Sequence, residues 1–200
     1  MVLIIDNYDS FVYNIIHFLE LPDDEYFVVR NDKITVTEIR ELIEEKKINS
    51  IIISPGPMAP NEAGISNAVI ESFYKEIPIL GICLGHECIG QVFGCGIEIC
   101  DEIIHGEADD IYIEASPIYN GLESCFRATR YHSLRVSEKD FNNQELIIDA
   151  RLKDGTIMGV RHKKYPLFGV QYHPESILTG ENGKKILRNF IEFSKSYGRK

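Results

Sequence analysis

The sequence predicts an α/β fold: an open, mostly parallel sheet with helices on both faces, a nucleophile elbow, and an antiparallel β extension in the second half. Short apolar runs alternate with amphipathic stretches through the first hundred residues, which is the pattern of parallel strands joined by helices. The second half instead contains short strands and turns. We expect one domain over residues 1–200, because a chain of 200 residues buries roughly 70% of its unfolded surface.

Four strands and four helices are predicted in the first half. The strands are the apolar runs Val2–Ile5, Tyr26–Val29, Ile51–Ile53 and Ile77–Ile82. The helices are Phe11–Leu19 capped by Asp9 or Ser10, Glu38–Lys47 capped by Thr37, Ser66 to about Lys75, and His86–Phe93. This alternation favours a parallel sheet whose crossover helices cover both faces.

The second half is predicted to be antiparallel. Leu146–Leu152 alternates in hydrophobicity, Asp154-Gly155 is typical of a hairpin turn, and Ile157–Arg161 returns along the first strand. Leu167–Tyr172 is a further strand. Gly183–Ser196 is predicted to be a closing amphipathic helix.

Composition and charge exclude several classes of protein. Lys and Arg number 21 against 31 Asp and Glu, a formal net charge of -10, and nucleic-acid binding needs a basic face instead. The apolar runs are much shorter than a membrane span. The N-terminal residues show neither the basic region nor the cleavage site of a targeting signal, so we expect a cytoplasmic protein without membrane contact.

Metal ions and other cofactors are not expected. The cysteines are odd in number and lack a Cys-x-x-Cys pair, so free thiols are predicted and not a disulfide framework or zinc site. No nucleotide-binding glycine motif occurs. One acidic cluster lacks recognisable ligand spacing and is interpreted as a solvated loop rather than a metal site. It contains Glu102, His105, Glu107, Asp109 and Asp110.

The most informative segment is Gly81-Ile82-Cys83-Leu84-Gly85. It follows an apolar strand and precedes a helix, which is the context of a nucleophile elbow with sulfur in place of the usual hydroxyl. The helix N-terminus favours the reactive thiolate. It also offers the backbone N–H of Leu84 to a developing oxyanion. The alternative is a buried cysteine in a glycine-rich turn.

A base and its orienting group follow the last predicted strand. Pro174 favours an extended backbone at His173, and residues two apart in such a segment project to one side. Glu175 can therefore accept a hydrogen bond from one ring nitrogen while the other deprotonates Cys83. Loops at the carboxyl ends of parallel strands share one edge, so the two segments can meet there. Alone, a His-x-Glu sequence is more often a surface pair.

The loop after the third strand is a further candidate. Gly56, in Ser54-Pro55-Gly56-Pro57, allows a ligand to approach the backbone, and its N–H can be a second oxyanion donor. An ordinary Pro/Gly turn is the alternative. His17, His86, His105 and His162 are interpreted as structural or solvated residues.

Taken together, the motifs resemble those of the class I, triad-type glutamine amidotransferases, and especially the small glutaminase subunits of anthranilate and aminodeoxychorismate synthases. The resemblance runs nearly end to end. It includes Asp6–Phe11, Ser54–Pro57, Asn61–Ser66, Gly81–His86, His105-Gly106, Arg130–Leu134, Gly159–His162 and Gly169–Leu178. The stretch from Met58 to Gly64 leans towards the aminodeoxychorismate branch.

The resemblance implies a reaction and its residues. Cys83 would attack the side-chain amide of L-glutamine, His173 would serve as base and then acid, and Glu175 would hold the imidazole. Backbone N–H groups of Gly56 and Leu84 would form the oxyanion hole. The implied glutamine-binding positions are Gly56, Met58, Glu87, Ser133 and Leu134. Ammonia would pass to a larger chorismate-binding subunit, the expected partner in a heterodimer.

Three positions depart from the family pattern. Met58 stands where many members have Gly or Cys, and Glu107 stands where Lys is usual. Glu87 replaces a Gln four residues after the nucleophile. An amide both donates and accepts, whereas an ionised carboxylate only accepts, so we expect weakened or partner-dependent glutamine binding.

Two other functions remain open from the residues. The same elbow and triad would support a stand-alone cysteine hydrolase of γ-glutamyl compounds. The Glu87 substitution would also suit a non-catalytic binding subunit whose glutamine site is impaired.

Overall fold

The computed structural model describes residues 1–100, 105–141 and 144–197. Eleven strands are assigned within these ranges: β1 (Val2–Asp6), β2 (Tyr26–Arg30), β3 (Ser50–Ile53), β4 (Ile79–Ile82), β5 (Ile97–Ile99), β6 (Glu107–Ile113), β7 (Cys125–Arg130), β8 (Leu134–Val136), β9 (Leu146–Arg151), β10 (Ile157–His162) and β11 (Leu167–Val170). The α-helices of these ranges are α1 (Val12–Leu19), α2 (Val36–Glu44), α3 (Ser66–Phe73), α4 (Leu84–Val92) and α5 (Gly180–Tyr197). Short 3-10 turns occur at Pro60–Glu62 and Pro117–Tyr119.

Nine strands form one sheet in the order β2-β1-β3-β4-β11-β10-β9-β6-β7. The first five are mutually parallel. From β11 onward the sheet continues with antiparallel pairs. β5 and β8 form a separate antiparallel pair. The predicted α/β architecture with an antiparallel extension is confirmed, and the extension proves to be part of the same sheet.

Each face of the sheet covers a separate apolar core, because side chains alternate between the two sides of a strand. On one side Ile4 and Ile52 belong to the cluster that includes apolar residues of α1 and α5. On the other side Leu3 and Ile51 pack with apolar residues of α2, α3 and α4. The crossover helices therefore lie on both faces, as the sequence predicts.

The predicted caps of the first two helices are wrong. α1 begins at Val12, and its N-cap residue is Phe11, which makes no side-chain capping bond. Asp9 instead accepts a hydrogen bond from the Phe11 N–H. α2 is capped by Thr35 and not by Thr37, because Thr35 and Glu38 form a reciprocal capping box.

The acidic segment is also different from the prediction. Glu107, Asp109 and Asp110 lie in β6, which pairs with β7, and not in a loop. Glu102 lies outside the described residues. Among the described residues no group of three or more His, Cys, Asp or Glu side chains is arranged to hold a metal ion.

Within the described parts of the chain, no helix has the length and the apolar character needed to cross a membrane.

Candidate active site

The site lies at the edge where the parallel strands β1, β3, β4 and β11 end. Asn7, directly after β1, is buried and joins the loops at this edge. Its backbone N–H donates to Ser54 Oγ at 2.9 Å, and its side-chain Nδ2 donates to the Ser54 carbonyl at 3.0 Å. Its Oδ1 accepts from Ser66 Oγ and Asn31 Nδ2, each at 2.9 Å. Asn7 therefore fixes the position of the loop that contains Gly56.

Cys83 occupies the predicted nucleophile elbow between β4 and α4. Its backbone has φ 51° and ψ -102°, a conformation that non-glycine residues rarely adopt. A Cβ on Gly81 would lie 2.4 Å from the Gly85 carbonyl oxygen, and one on Gly85 would lie 2.6 Å from the Ile53 oxygen. Both flanking glycines are therefore required for the turn, and the turn places Cys83 at the N-terminus of α4.

His173 and Glu175 form the expected pair after β11. His173 Nδ1 lies 2.6 Å from Glu175 Oε1, and both side chains are buried. The backbone of His173 is held by its N–H bond to Thr129 O at 2.8 Å and by a 2.7 Å bond from Thr179 Oγ1 to its carbonyl. Nε2 has no hydrogen-bond partner among the described residues. This nitrogen is therefore available for proton transfer.

The thiol and the imidazole perturb each other. Burial raises the pKa of Cys83, and the adjacent His173 is the main influence that lowers it. Burial also disfavours a charged imidazole, but the carboxylate of Glu175, together with Cys83, raises the pKa of His173 well above its usual value. A thiolate at Cys83 is therefore stabilised chiefly by a protonated His173.

Close packing requires glycine at position 56, in addition to its predicted role as an oxyanion donor. A Cβ at this position would lie 2.5 Å from the Asn7 carbonyl oxygen and 3.1 Å from Leu84 Cδ2. The loop therefore packs against both the segment after β1 and the first residue of α4. This packing brings the backbones of Gly56 and Leu84 to the wall of one cavity.

The cavity has a volume of about 190 Å³. It is smaller than the roughly 300–1,000 Å³ of sites for drug-sized ligands and is suited to a smaller molecule. Its walls contain all the predicted substrate-binding positions together with the nucleophile. The lining residues are Gly56, Pro57, Met58, Cys83, Leu84, Glu87, Tyr131, His132, Ser133 and Leu134.

Glu87 and Gln171 form a buried pair beside the nucleophile. Gln171 Nε2 donates to Glu87 Oε1 at 2.9 Å and lies 3.8 Å from Cys83 Sγ. Burial raises the pKa of Glu87 to about 7, although the Gln171 bond and His173 act in the opposite direction. Gln171 was not predicted from the sequence as a site residue. A signal was nevertheless present, because residues 171, 173 and 175 occupy every second position of an extended segment and therefore project to the same side.

Asp9 and Tyr131 were also missed. Burial and the nearby Glu175 carboxylate raise the pKa of Asp9 to about 6, while His173 lowers it. The Tyr131 ring contacts His173 edge-on, with centroids 5.1 Å apart. Tyr131 lines both the nucleophile cavity and a second cavity of about 160 Å³. Phe11, His173, Glu175 and Ile177 belong to the lining of that second cavity.

The other histidines have structural positions. His86 is fully buried in α4, and burial lowers its pKa to about 3. His162 is buried at the end of β10, where Nδ1 accepts from the N–H groups of Lys164 and Tyr165 at 2.9 Å each. No disulfide joins the cysteines of the described residues, and Cys83, Cys88 and Cys95 are buried.

A cysteine on a strand–turn–helix elbow, beside a His–Glu pair and above a small cavity, defines a class of protein. It is the arrangement of an α/β enzyme that attacks carbonyl groups through a thiolate. Comparison with known proteins assigns the chain more narrowly. The class-I glutamine amidotransferase family matches residues 3–193, and the chain belongs to that family.

Several curated relatives match over the same length. Anthranilate synthase component 2 of Cyanophora paradoxa is 49% identical over 192 residues, which are 96% of this chain and 98% of that protein. Aminodeoxychorismate/anthranilate synthase component 2 of Bacillus subtilis is 46% identical, and the match covers 96% of both chains. The bifunctional protein TrpGD of Thermotoga maritima is 49% identical, and the chain spans 32% of its length.

Solved structures share the fold. A GMP synthase-type protein from Thermoplasma acidophilum has a TM-score of 0.80 at 22% identity, with 99% of this chain and 95% of that chain covered. A glutamine amidotransferase from Thermotoga maritima has a TM-score of 0.74 at 13% identity, with 96% of each chain covered.

Proposed function

We propose that the chain is a glutaminase component that hydrolyses L-glutamine to glutamate and ammonia. Cys83, His173 and Glu175 act as nucleophile, base and orienting group, and residues 1–200 form one glutamine amidotransferase domain. The ammonia passes to a chorismate-aminating synthase component, which makes aminodeoxychorismate or anthranilate. The names of the relatives from Cyanophora paradoxa and Bacillus subtilis support this assignment.

The first half of the proposed reaction transfers the acyl group to sulfur. His173 Nε2 takes the thiol proton, and the Cys83 thiolate attacks the side-chain amide carbon of glutamine. Backbone N–H groups of Gly56 and Leu84 donate to the oxyanion, each contributing roughly 2.7–4 kcal/mol by analogy with other oxyanion holes. The imidazolium then gives its proton to the departing nitrogen. The carbon–nitrogen bond breaks, ammonia leaves, and a γ-glutamyl thioester remains.

The second half regenerates the enzyme. His173, now neutral, takes a proton from water as the water oxygen attacks the thioester carbon. Collapse of the tetrahedral intermediate breaks the carbon–sulfur bond, and the proton returns to sulfur as glutamate leaves. Glu175 holds Nδ1 throughout, so that Nε2 faces the reacting atoms in the correct protonation state.

One observation carries the proposal: the buried His173–Glu175 pair, with an N···O distance of 2.6 Å, lies beside a thiol at the wall of a small cavity. Intact Cys83, His173 and Glu175 make a non-catalytic binding role the less supported interpretation. A stand-alone hydrolase of γ-glutamyl compounds is also less supported, because the curated relatives of similar length are named as components of synthases.

The same edge offers a surface for the synthase component. Apolar side chains that are normally buried stand exposed around the two cavities, including Phe11, Met58, Ile177 and Leu178, the last two with 81% and 63% of their surface accessible. An exposed apolar patch beside a site is typical of a protein interface. We place the synthase component over this rim in a heterodimer.

The experiment is peptide mapping after treatment with a diazo-ketone analogue of glutamine. We expect one adduct, on Cys83, that free glutamine suppresses and that the Cys83→Ser variant lacks. Cys125→Ser is the matched control, since Cys125 is half-buried and lies on β7 away from the cavity. Labelling of several cysteines regardless of glutamine would contradict the proposal.

A further inference from the structure

Glu87 is an acidic side chain in the wall of the cavity that contains the nucleophile. It lies four residues after Cys83, the N-cap residue of α4, and both residues line the same cavity. Only 3% of Glu87 is exposed. The single hydrogen bond to its carboxyl group among the described residues comes from the neutral amide of Gln171. This carboxyl group takes no part in the reaction steps proposed for Cys83, His173 and Glu175.

No Lys or Arg side chain of the described residues neutralises Glu87. Titratable and charged groups lie on the elements packed around it. They are Cys83 at the N-cap of α4, His86 and Cys88 on α4, His173 after β11, Arg130 at the end of β7, Tyr131 and His132 before β8, Arg135 on β8, Glu98 on β5, Glu71 on α3 and Glu62 in the 3-10 turn. Among the described residues, no Lys or Arg forms an ion pair with Glu87: Arg130 pairs with Asp109 at 2.6 Å, and Arg135 pairs with Glu98 at 2.8 Å.

The neighbouring imidazole on the cavity wall does not supply a charge at neutral pH. Burial and the adjacent Arg130 lower the pKa of His132 to about 4. Only His173 favours the ionised form of Glu87 electrostatically, and burial outweighs it, so the pKa of Glu87 rises to about 7. Near neutral pH, therefore, this carboxyl group changes between acid and carboxylate.

The two forms present different groups to a ligand. A carboxylic acid has one O–H donor and a carbonyl acceptor, the same kinds of group as a side-chain amide, whereas a carboxylate can only accept. A free amino acid such as glutamine carries both a carboxylate and an ammonium group. A buried carboxylate here would repel the first of these at short range, in surroundings that screen charge poorly.

We propose that Glu87 recognises glutamine as a carboxylic acid, so that the affinity of the site for glutamine falls as pH rises through neutrality. The inference rests on the proposed glutaminase function and assigns Glu87 a role in substrate recognition within it. Ionisation of Glu87 also disfavours the Cys83 thiolate, because a second negative charge nearby raises the pKa of the thiol.

The size of the effect follows from the titration. With only the acid form competent, the glutamine KM increases about tenfold for each pH unit well above the pKa of about 7. At pH 8.5 about one Glu87 in thirty is protonated, so KM is expected to be about 30-fold above its value at pH 5.5. In Glu87→Gln this rise disappears, because the amide does not titrate.

The first test measures proton uptake in the full chain with Cys83→Ser, which removes the thiol titration and turnover. Calorimetric titrations with L-glutamine at pH 8.5, in buffers of different ionisation enthalpy, count the protons taken up on binding. We expect close to one proton per glutamine, and none in the Cys83→Ser, Glu87→Gln chain. The first chain tests the proposal even if the double variant folds poorly.

The second test compares KM and kcat for ammonia release between pH 5.5 and 8.5. Glu87→Gln should lower KM at the alkaline end and remove the rise of KM with pH. Glu41→Gln, the same change at an exposed position on α2, should reproduce the wild-type profile.

The outcomes separate the inference from the function on which it rests. Glutamine binding with no proton uptake, or a KM profile that is the same with Glu87 and with Gln at this position, overturns the role of Glu87 and leaves the glutaminase intact. Absence of glutamine binding at every pH, together with absence of glutamine-suppressed labelling of Cys83, overturns both.

Discussion

Asp149 is a buried carboxyl group whose replacement should stabilise the protein in a pH-dependent way. It lies on β9 with 1% of its surface exposed, and neither carboxyl oxygen has a hydrogen-bond partner among the described residues. Burial raises the pKa of Asp149 from 3.8 to about 7, and the nearby Ser116 and Arg161, whose Nε lies 3.9 Å away, only partly offset this. The perturbation is Asp149→Asn, which removes the titration and keeps the shape.

The magnitude follows from the two pKa values. A raised pKa means that the folded state binds the proton more tightly than the unfolded state, so stability is lost as pH rises from about 4 to about 7. A gap of about 3 pKa units corresponds to about 4 kcal/mol. The variant should therefore gain about 4 kcal/mol relative to the wild type between pH 4 and pH 8.

Urea unfolding of both chains at pH 4, 6 and 8 measures the difference directly. Asp154→Asn is the matched control in the exposed turn before β10. A backbone bond from Thr156 lowers the pKa of Asp154, so this variant should lose stability relative to the wild type as pH rises. A difference for Asp149→Asn that changes by less than about 1 kcal/mol across the range would refute the reasoning.

Three further predictions concern the active-site edge. Glu175→Gln should lower kcat for ammonia release about 10²- to 10⁴-fold, because a neutral amide does not stabilise the imidazolium and can donate to Nδ1, which favours the wrong tautomer. A kcat within threefold of the wild type would contradict this. Gly81→Ala should destabilise the chain by about 1–3 kcal/mol in urea, because its Cβ would lie 2.4 Å from the Gly85 oxygen, and an unchanged midpoint would show that the elbow can relax. Met58→Gly should raise the free energy of unfolding by up to about 1 kcal/mol, because Met58 is largely exposed and has φ 76°, a left-handed conformation that favours glycine. A lower melting temperature would mean that the Met58 side chain packs favourably.

The parallel half of the fold was predictable because its signals are local. Runs such as Leu3–Ile5 and Ile51–Ile53 are too short for helices and are bounded by polar or Pro/Gly residues. The position of β11 between β4 and β10 was not predictable in this way. That placement depends on pairing between segments far apart in sequence.

Boundary errors have identifiable causes. Thr35 and Thr37 both precede Glu38, but only Thr35 has it three residues later, so the capping-box rule applied strictly would have chosen Thr35. β6 was missed because its acidic residues are uncommon in strands. Its cross-strand partners explain why it forms: Arg130 lies opposite Glu107, and its guanidinium pairs with Asp109.

Some features of the site can be predicted from local sequence, whereas others depend on contacts between distant segments of the fold. An elbow is a local device: Gly81, Cys83 and Gly85 carry its whole signal within five positions, and His173 and Glu175 carry theirs within three. Glu87 and Gln171 are 84 positions apart, and no local sequence pattern predicts their contact. Their contact, and the lack of a Lys or Arg partner for Glu87 among the described residues, are properties of the packed structure. The protonation state of Glu87 follows from that packing. The effect on glutamine binding of having Glu in place of the family Gln therefore cannot be predicted from the residue type alone. From its side-chain formula alone, Glu87 is a poor replacement for the Gln of the family, because a carboxylate cannot donate a hydrogen bond. Its burial changes this conclusion, because below neutral pH the protonated carboxyl group keeps both a hydrogen-bond donor and an acceptor.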